Sequence, residues 1–424
     1  MTERLLQFIW QMQYFNNTNL QTTCGESLQV IHPGYLNTNQ GPDFQEGSIR
    51  ISTTKWVGSI ELHVKASDWK LHRHDRDKNY WNIILHVVWE DDYTVRDASG
   101  NDIPVLVLQD KVSKFLLRRF EELMNAQNEI PCSHNLKIVP DIIWSSWKTR
   151  LVTQRLERRT RAVENYLKQT KNHWEEVFWW LLAANFGITV NTSAFEAIAR
   201  TISVHILARH KAQIHQLEAF LFGQAGLLDA DFEEDYPQML KKEYLFYQKK
   251  YGWSRVTESV YFLRMRPGNF PTIRLAQLAM LIHQSTHLFS QVKSIVQLAE
   301  LKKLLQVTAN DYWHYHYQFD EPSAFKKKKL GGQMIDNIII NTIVPVVFAY
   351  GHLQREQVSK DKALQWLEDT TAEQNAITRQ WAALGVTNAS AHDSQAMIEL
   401  SKTYCPNKNC LNCAIGCAIL KRSG

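Results

Sequence analysis

Apolar and polar positions change rhythm once along this chain, near residue 110. Before that point, short segments alternate with a period of two, at 28–32, 47–52, 57–65, 82–89 and 104–108. Such alternation predicts β-strands, because successive side chains leave a strand on opposite faces. Turn chemistry separates them, as in His32-Pro33-Gly34, Asn39-Gln40-Gly41-Pro42 and Ala98-Ser99-Gly100-Asn101-Asp102. The first ten residues read as a short amphipathic helix, and 67–80 as a polar helix or loop. Beyond residue 110 the apolar spacing is helical nearly throughout, at 111–127, 141–167, 173–186, 192–210, 214–222, 237–251, 273–284, 290–306, 332–351, 360–367 and 371–384. Segment 173–186, with Trp174, Phe178, Trp179 and Trp180, is apolar all round and predicts a buried helix. No fixed period repeats, so a helical solenoid is not expected. The expected fold is α+β. It has a small β-rich domain at 1–110, a large all-α domain at 111–400 and a cysteine-rich tail at 401–424.

Composition narrows the class. With 44% hydrophobic and 21% charged residues in 424, the chain is ordinary for a soluble globular protein. A net charge of +5 permits an anionic partner without requiring one. The 14 Trp, 15 Tyr and 18 Phe serve core filling and base stacking alike. No apolar stretch with a following small-residue cleavage site marks a signal peptide. The longest apolar region, 338–350, contains Asn341 and Pro345 and is too short to span a bilayer. Six cysteines, four of them bunched near the C-terminus, do not form a secreted disulfide pattern. A cytoplasmic protein without a membrane partner is expected.

The strand at 57–65 carries the candidate chemistry. Ile60, Leu62 and Val64 share one face, and Ser59, Glu61, His63 and Lys65 the other. Alternate side chains on a strand stand about 6.5–7 Å apart, so a carboxylate, an imidazole and an ammonium form a row. That row is either the wet face of a sheet or, with Asp43 nearby in sequence, a metal-dependent hydrolytic site. In the second case Asp43 and Glu61 would share Mg²⁺ or Mn²⁺, with His63 and Lys65 as the basic or cationic groups. Next along the chain, His72-Arg73-His74-Asp75-Arg76-Asp77 offers further ligands for Zn²⁺ or Mn²⁺. A histidine-based small-molecule metalloenzyme would draw on His63, His72, His74 and His86.

Pro42-Asp43 followed by Glu61-Leu62-His63 on a later strand, behind an N-terminal helix, resembles the PD-(D/E)XK nuclease superfamily over roughly the first hundred residues. The resemblance implies a restriction-endonuclease-like domain that cleaves nucleic acid with a divalent ion. His63 occupies the slot of that superfamily's lysine, and Lys65 lies two residues further on. A scaffold or nucleic-acid-binding protein that keeps the shape without turnover is the alternative. Over its whole length the sequence resembles the bacterial family known as domain of unknown function 2851. Gly41-Pro42-Asp43-Phe44, Ser59-Ile60-Glu61-Leu62-His63, Leu85-His86-Val87-Val88-Trp89 and Arg266-Pro267-Gly268-Asn269-Phe270-Pro271 carry that likeness.

Cys405, Cys410, Cys413 and Cys417 form a Cys-x4-Cys-x2-Cys-x3-Cys array. Its spacing suits a structural zinc, leaves an iron–sulfur cluster open, and is also compatible with free thiols. Some relatives in the nuclease superfamily bracket an iron–sulfur cluster with one early and three late cysteines; by that resemblance Cys24 or Cys132 would be the early one. Two cationic stretches complete the inventory. Arg150, Arg158 and Arg161 lie opposite the apolar stripe Val152, Leu156 and Val163, and Arg264, Arg266 and Arg274 surround a Pro/Gly turn that enters a helix. Both are expected to hold nucleic acid or another anion. The run Lys326 to Lys329 is expected as an exposed loop.

Overall fold

The computed structural model describes residues 1–421 apart from Ala98, Arg264 and Thr286. Mixed α+β architecture is present as the periodicities predict, with a curled N-terminal sheet followed by a large helical region. The division of the chain differs from expectation. One compact unit comprises Met1–Trp147 together with Leu400–Gly424, and the other Lys148–Glu399. The boundary thus falls inside a continuous helix rather than near residue 110, and the cysteine-rich tail belongs to the sheet unit.

In the sheet unit, α1 (Glu3–Gln11) is capped by Thr2, whose hydroxyl accepts from the Leu5 amide. It buries Leu5, Leu6, Phe8, Ile9 and Trp10 and packs on the central strand. Six strands follow: β1 (Leu28–His32), β2 (Tyr35–Leu36), β3 (Phe44–Ile51), β4 (Thr54–Lys65), β5 (Ile83–Glu90) and β6 (Val105–Val107). They lie in the order β1-β3-β4-β5-β6, with β2 paired to β3. The pairs β1/β3 and β3/β4 are antiparallel, whereas β4/β5 and β5/β6 are parallel.

The parallel pair decides what happens to the polar face of β4. A parallel neighbour requires a crossover that leaves one strand end and returns to the other. Here the crossover is residues 66–82, with the short helix α2 (Asp68–Leu71) and two 3₁₀ turns, His74–Arg76 and Lys78–Tyr80. Ser67 anchors its start on Asp92, through the amide and the hydroxyl at 2.8 Å each. Trp69, the large apolar residue in this polar stretch, is buried beside Val95 and Ile103. Ser59 and Asn82 meet at the other end through a 2.8 Å backbone bond. Gly58 permits that approach, since a Cβ there would stand 2.6 Å from the Asn82 carbonyl oxygen. Glu61 and His63 are consequently buried, not the wet face of a half-buried strand.

Helices make up the second unit. Its core is aromatic, with Phe178, Phe186, Phe195, Phe220, Phe222, Trp313, Trp366 and Trp381 fully enclosed. Segment Trp174–Phe186 is the buried helix its composition predicts. The expected helix at 290–306 is two short ones, Leu288–Ser294 and Leu298–Leu304. The helical run Gly332–Leu353 is long and apolar enough to cross a membrane, and its apolar window is 78% buried within the fold, as in a core helix. A π-turn at Ile339–Ile343 precedes Pro345, which has no amide hydrogen to donate.

Candidate functional site

Register brings the site together. Phe44 pairs with Ile60 across the antiparallel ladder, so Asp43, one residue outside β3, stands opposite Glu61. Glu61 in turn pairs with His86 across the parallel ladder. Asp43, Glu61 and His86 therefore form a row across three adjacent strands, with His63 two residues further along β4. The crossover then lowers His72 and His74 onto the same face.

Hydrogen bonds fix the acidic pair. The Asp43 amide donates to Glu61 Oε2 at 2.9 Å. Asp43 Oδ1 accepts from Gln7 Nε2 of α1 at 2.8 Å, and Oδ2 from the Leu62 amide at 3.2 Å. Both Asp43 oxygens are thus occupied in holding α1, β3 and β4 together. Glu61 Oε1 turns the other way, 3.3 Å from His74 Nε2 and 3.7 Å from His63 Nε2. His63 Nε2 is 3.2 Å from His72 Nδ1. The donor atoms of His63, His72 and His74 all lie within 4.8 Å of one another.

Those separations are diagnostic. An ion with bonds of about 2.0–2.1 Å in tetrahedral geometry sets neighbouring ligand atoms about 3.3–3.4 Å apart. The separations of 3.2, 3.3 and 3.7 Å lie near that edge length. The three imidazoles gather as one group and Glu61 Oε1 approaches two of them; nitrogen and carboxylate donors together suit Zn²⁺ or Mn²⁺, whereas Mg²⁺ favours oxygen throughout. Outer contacts orient the rings. His63 Nδ1 lies 2.9 Å from His86 Nε2, and the tautomer in which His63 donates leaves its Nε2 lone pair free for a metal. Tyr80 stacks on His74 with centroids 3.9 Å apart, and buried Trp69 stands edge-on to His63, His74 and His86. His72 is exposed and opens the group to solvent.

Burial sets the charge states. It pulls His63 down to about 2, His86 to about 3 and His74 to about 4, aided by neighbouring histidines, so these rings stay neutral in mild acid. Burial also pushes Asp43 and Glu61 above the ordinary carboxylate range, reinforced for Asp43 by Glu3 and for Glu61 by Asp43. A raised carboxylate binds protons in the folded state that the unfolded chain has released. Its stabilising contribution is complete below about pH 4.5 and is lost as pH rises through the raised value. The lowered histidines act oppositely, contributing fully above about pH 6.5 and losing that contribution as pH falls. A divalent ion at this group would replace the proton on Glu61, so metal affinity should increase with pH. The rise in Tm on adding Zn²⁺ or Mn²⁺ is expected to be larger near pH 8 than near pH 6. A pH-independent shift would contradict ligation by Glu61.

Other sequence candidates lie elsewhere. Lys65 sits at the exposed end of β4, paired with Glu90 at 3.6 Å, and takes no part in the cluster. Arg158 is locked bidentately onto buried Glu399 at 2.5 and 2.7 Å, which removes it from an open cationic ridge. Arg150 and Arg161 are exposed on the same helix. Arg274 is buried and ties Asn269 to Gln277 at 2.6 and 2.9 Å, a structural brace rather than an anion site. Arg266 is exposed, and Arg264 lies outside the described residues. Within the lysine run, Lys328 is buried with its ammonium 3.6 Å above the Tyr317 ring, contrary to a wholly exposed loop. Sequence reasoning missed Gln7, Trp69 and Tyr80. Trp69 carried a weak signal, as a large apolar residue in a polar stretch, but Leu71 and Trp81 in the same stretch stay exposed.

Comparison with known proteins adds a family. The family model described as protein of unknown function (DUF2851) matches residues 3–376. No curated protein and no solved structure matches the chain.

Proposed function

The chain belongs to the DUF2851 family, and we propose that its sheet unit is a transition-metal-dependent hydrolase of nucleic-acid phosphodiester bonds. The observation that carries this reading is the gathering of His63, His72 and His74, with donor atoms within 4.8 Å of one another, beside Glu61 Oε1 at 3.7 Å from His63 and 3.3 Å from His74. Such an ion supplies Lewis acidity and a water of lowered pKa. The protein's own groups do the positioning. Asp43 aims Glu61 through its backbone amide, Gln7 holds Asp43, His86 sets the His63 tautomer, and Tyr80 fixes the His74 ring.

The substrate class is supported by what surrounds the ligands. Lys70, Arg73, Arg76 and Lys78 are exposed on the same crossover as His72 and His74, and exposed Trp81 follows them. Cations for phosphates beside an aromatic face for a base suit a nucleic-acid strand. A helix, antiparallel strands, a crossover and a parallel strand accord with the restriction-endonuclease-like shape that the PD-(D/E)XK resemblance implies. In that comparison His63 replaces the lysine. A cytoplasmic location goes with this reading, supported by six free cysteines.

The test uses the full chain, freed of metal and reloaded with Zn²⁺, Mn²⁺ or Mg²⁺, against single-stranded and duplex DNA and RNA. Cleavage with Zn²⁺ or Mn²⁺ that fails with Mg²⁺ alone is expected. Salt-sensitive binding without cleavage under every metal would overturn the hydrolase.

A further inference from the structure

The sheet unit gathers a second set of metal-binding side chains, remote in sequence and chemically distinct from the first. Cys132, Cys405, Cys410 and Cys413 are all buried and line one cavity of about 20 Å³, together with Pro131, Tyr404 and Gly416. Three short irregular elements deliver them. Cys132 precedes the 3₁₀ turn Ser133–Ile138, Cys405 follows the π-turn Leu400–Tyr404, and Cys410 opens the 3₁₀ turn Cys410–Asn412. Cys413 immediately precedes the C-terminal helix Ala414–Lys421. Gly416 lets that helix close on the cysteine loop, since a Cβ there would stand 2.3 Å from the Cys410 carbonyl oxygen.

We infer that Cys132, Cys405, Cys410 and Cys413 are the four thiolate ligands of a metal centre, either zinc or a small iron–sulfur cluster. The membership departs from the C-terminal array, which would take Cys417 as the fourth ligand, and follows the alternative of one early and three late cysteines with Cys132 rather than Cys24 as the early one. Cys417 does not line the cavity, and its thiol donates to the Leu411 carbonyl oxygen at 3.2 Å. The Ile415 and Gly416 amides face the Cys413 sulfur, an arrangement that would support a metal-bound thiolate.

In either form the centre would clip residues 400–421 to residue 132 and close the sheet unit after its long excursion through Lys148–Glu399.

The experiment is metal and acid-labile sulfide analysis of the full chain purified without oxygen, alongside Cys132→Ser, Cys410→Ser and Cys417→Ser. With Glu61→Gln as the background, to empty the histidine group, bound iron with equivalent sulfide identifies a cluster and about one zinc per chain a zinc clip. In that background either should fall at least ~10-fold in Cys132→Ser and Cys410→Ser and persist in Cys417→Ser. Because the serine variants could misfold, chelation of the wild-type chain is read in parallel, and its Tm should drop as the metal leaves. Neither zinc nor iron in wild type, or full retention in Cys132→Ser, overturns the centre. Loss only in Cys417→Ser overturns the ligand set. Zn²⁺ or Mn²⁺ at the histidine group would survive these cysteine substitutions, so the two sites are separable.

Discussion

Replacing Glu61 with Gln should empty the histidine centre and end hydrolysis. The substitution keeps the volume and leaves an oxygen to accept the Asp43 amide now bound to Glu61 at 2.9 Å. It removes the carboxylate that lies 3.7 Å from His63 and 3.3 Å from His74, and the new NH₂ group would face the ion. Metal affinity should drop by about 100-fold or more, judged from the 10–100-fold cost of losing even an outer-shell partner. Cleavage should fall by roughly 10³-fold, the scale of removing a main electrostatic contributor. Lys65→Ala is the informative companion. Lys65 is half-exposed and paired with Glu90, so activity should change less than ~2-fold, in line with the small worth of surface ion pairs. Calorimetric metal titration and single-turnover cleavage read both variants. An active Glu61→Gln together with a dead Lys65→Ala would return the site to a lysine-dependent nuclease and discard the histidine set.

Trp313→Ala should be the most damaging single change to the helical unit. Trp313 is wholly enclosed and its indole nitrogen donates to Glu218 Oε2 at 3.1 Å. Tyr236 donates to the same oxygen at 2.7 Å. Removing the ring forfeits about 3–5 kcal/mol through lost burial and the cavity left behind. Trp313→Phe separates volume from bonding and should cost about 1–3 kcal/mol, because buried Glu218 loses a donor. Burial already raises Glu218 to about 7. Its contribution is complete below about pH 4.5 and fades toward pH 7, so Trp313→Phe should be costlier near pH 8 than near pH 5. Denaturant midpoints at the two pH values test this, and equal losses would show that Glu218 is not coupled to the indole.

Much of this was legible in the residues, and the limits have physical causes. Period-two alternation located β4 and named Glu61 and His63, because a strand writes its faces directly into sequence. It could not show whether the next strand ran parallel, since both arrangements alternate alike. That direction is what carries His72 and His74 over the face and buries it. The sequence allowed 57–65 and 72–77 to act separately or, in the histidine-based reading, together; the crossover brings them together. Lys65 was misplaced for a related reason, as it lies on the correct face but past the end of the covered stretch. Arg158 looked free on its helix because Glu399 is distant in sequence, and no local pattern reveals such a partner. Cys417 fitted the spacing of the array, yet one helical turn beyond Cys413 its thiol points at Leu411.

The discontinuity of the sheet unit has a consequence for biogenesis. Residues made first cannot reach their finished state until Lys148–Glu399 and then 400–421 have left the ribosome. At elongation rates of about 5–20 residues per second that is a wait on the order of tens of seconds. During it the nascent N-terminal module lacks its closing segment, while the later-made helical module is free to fold ahead of it.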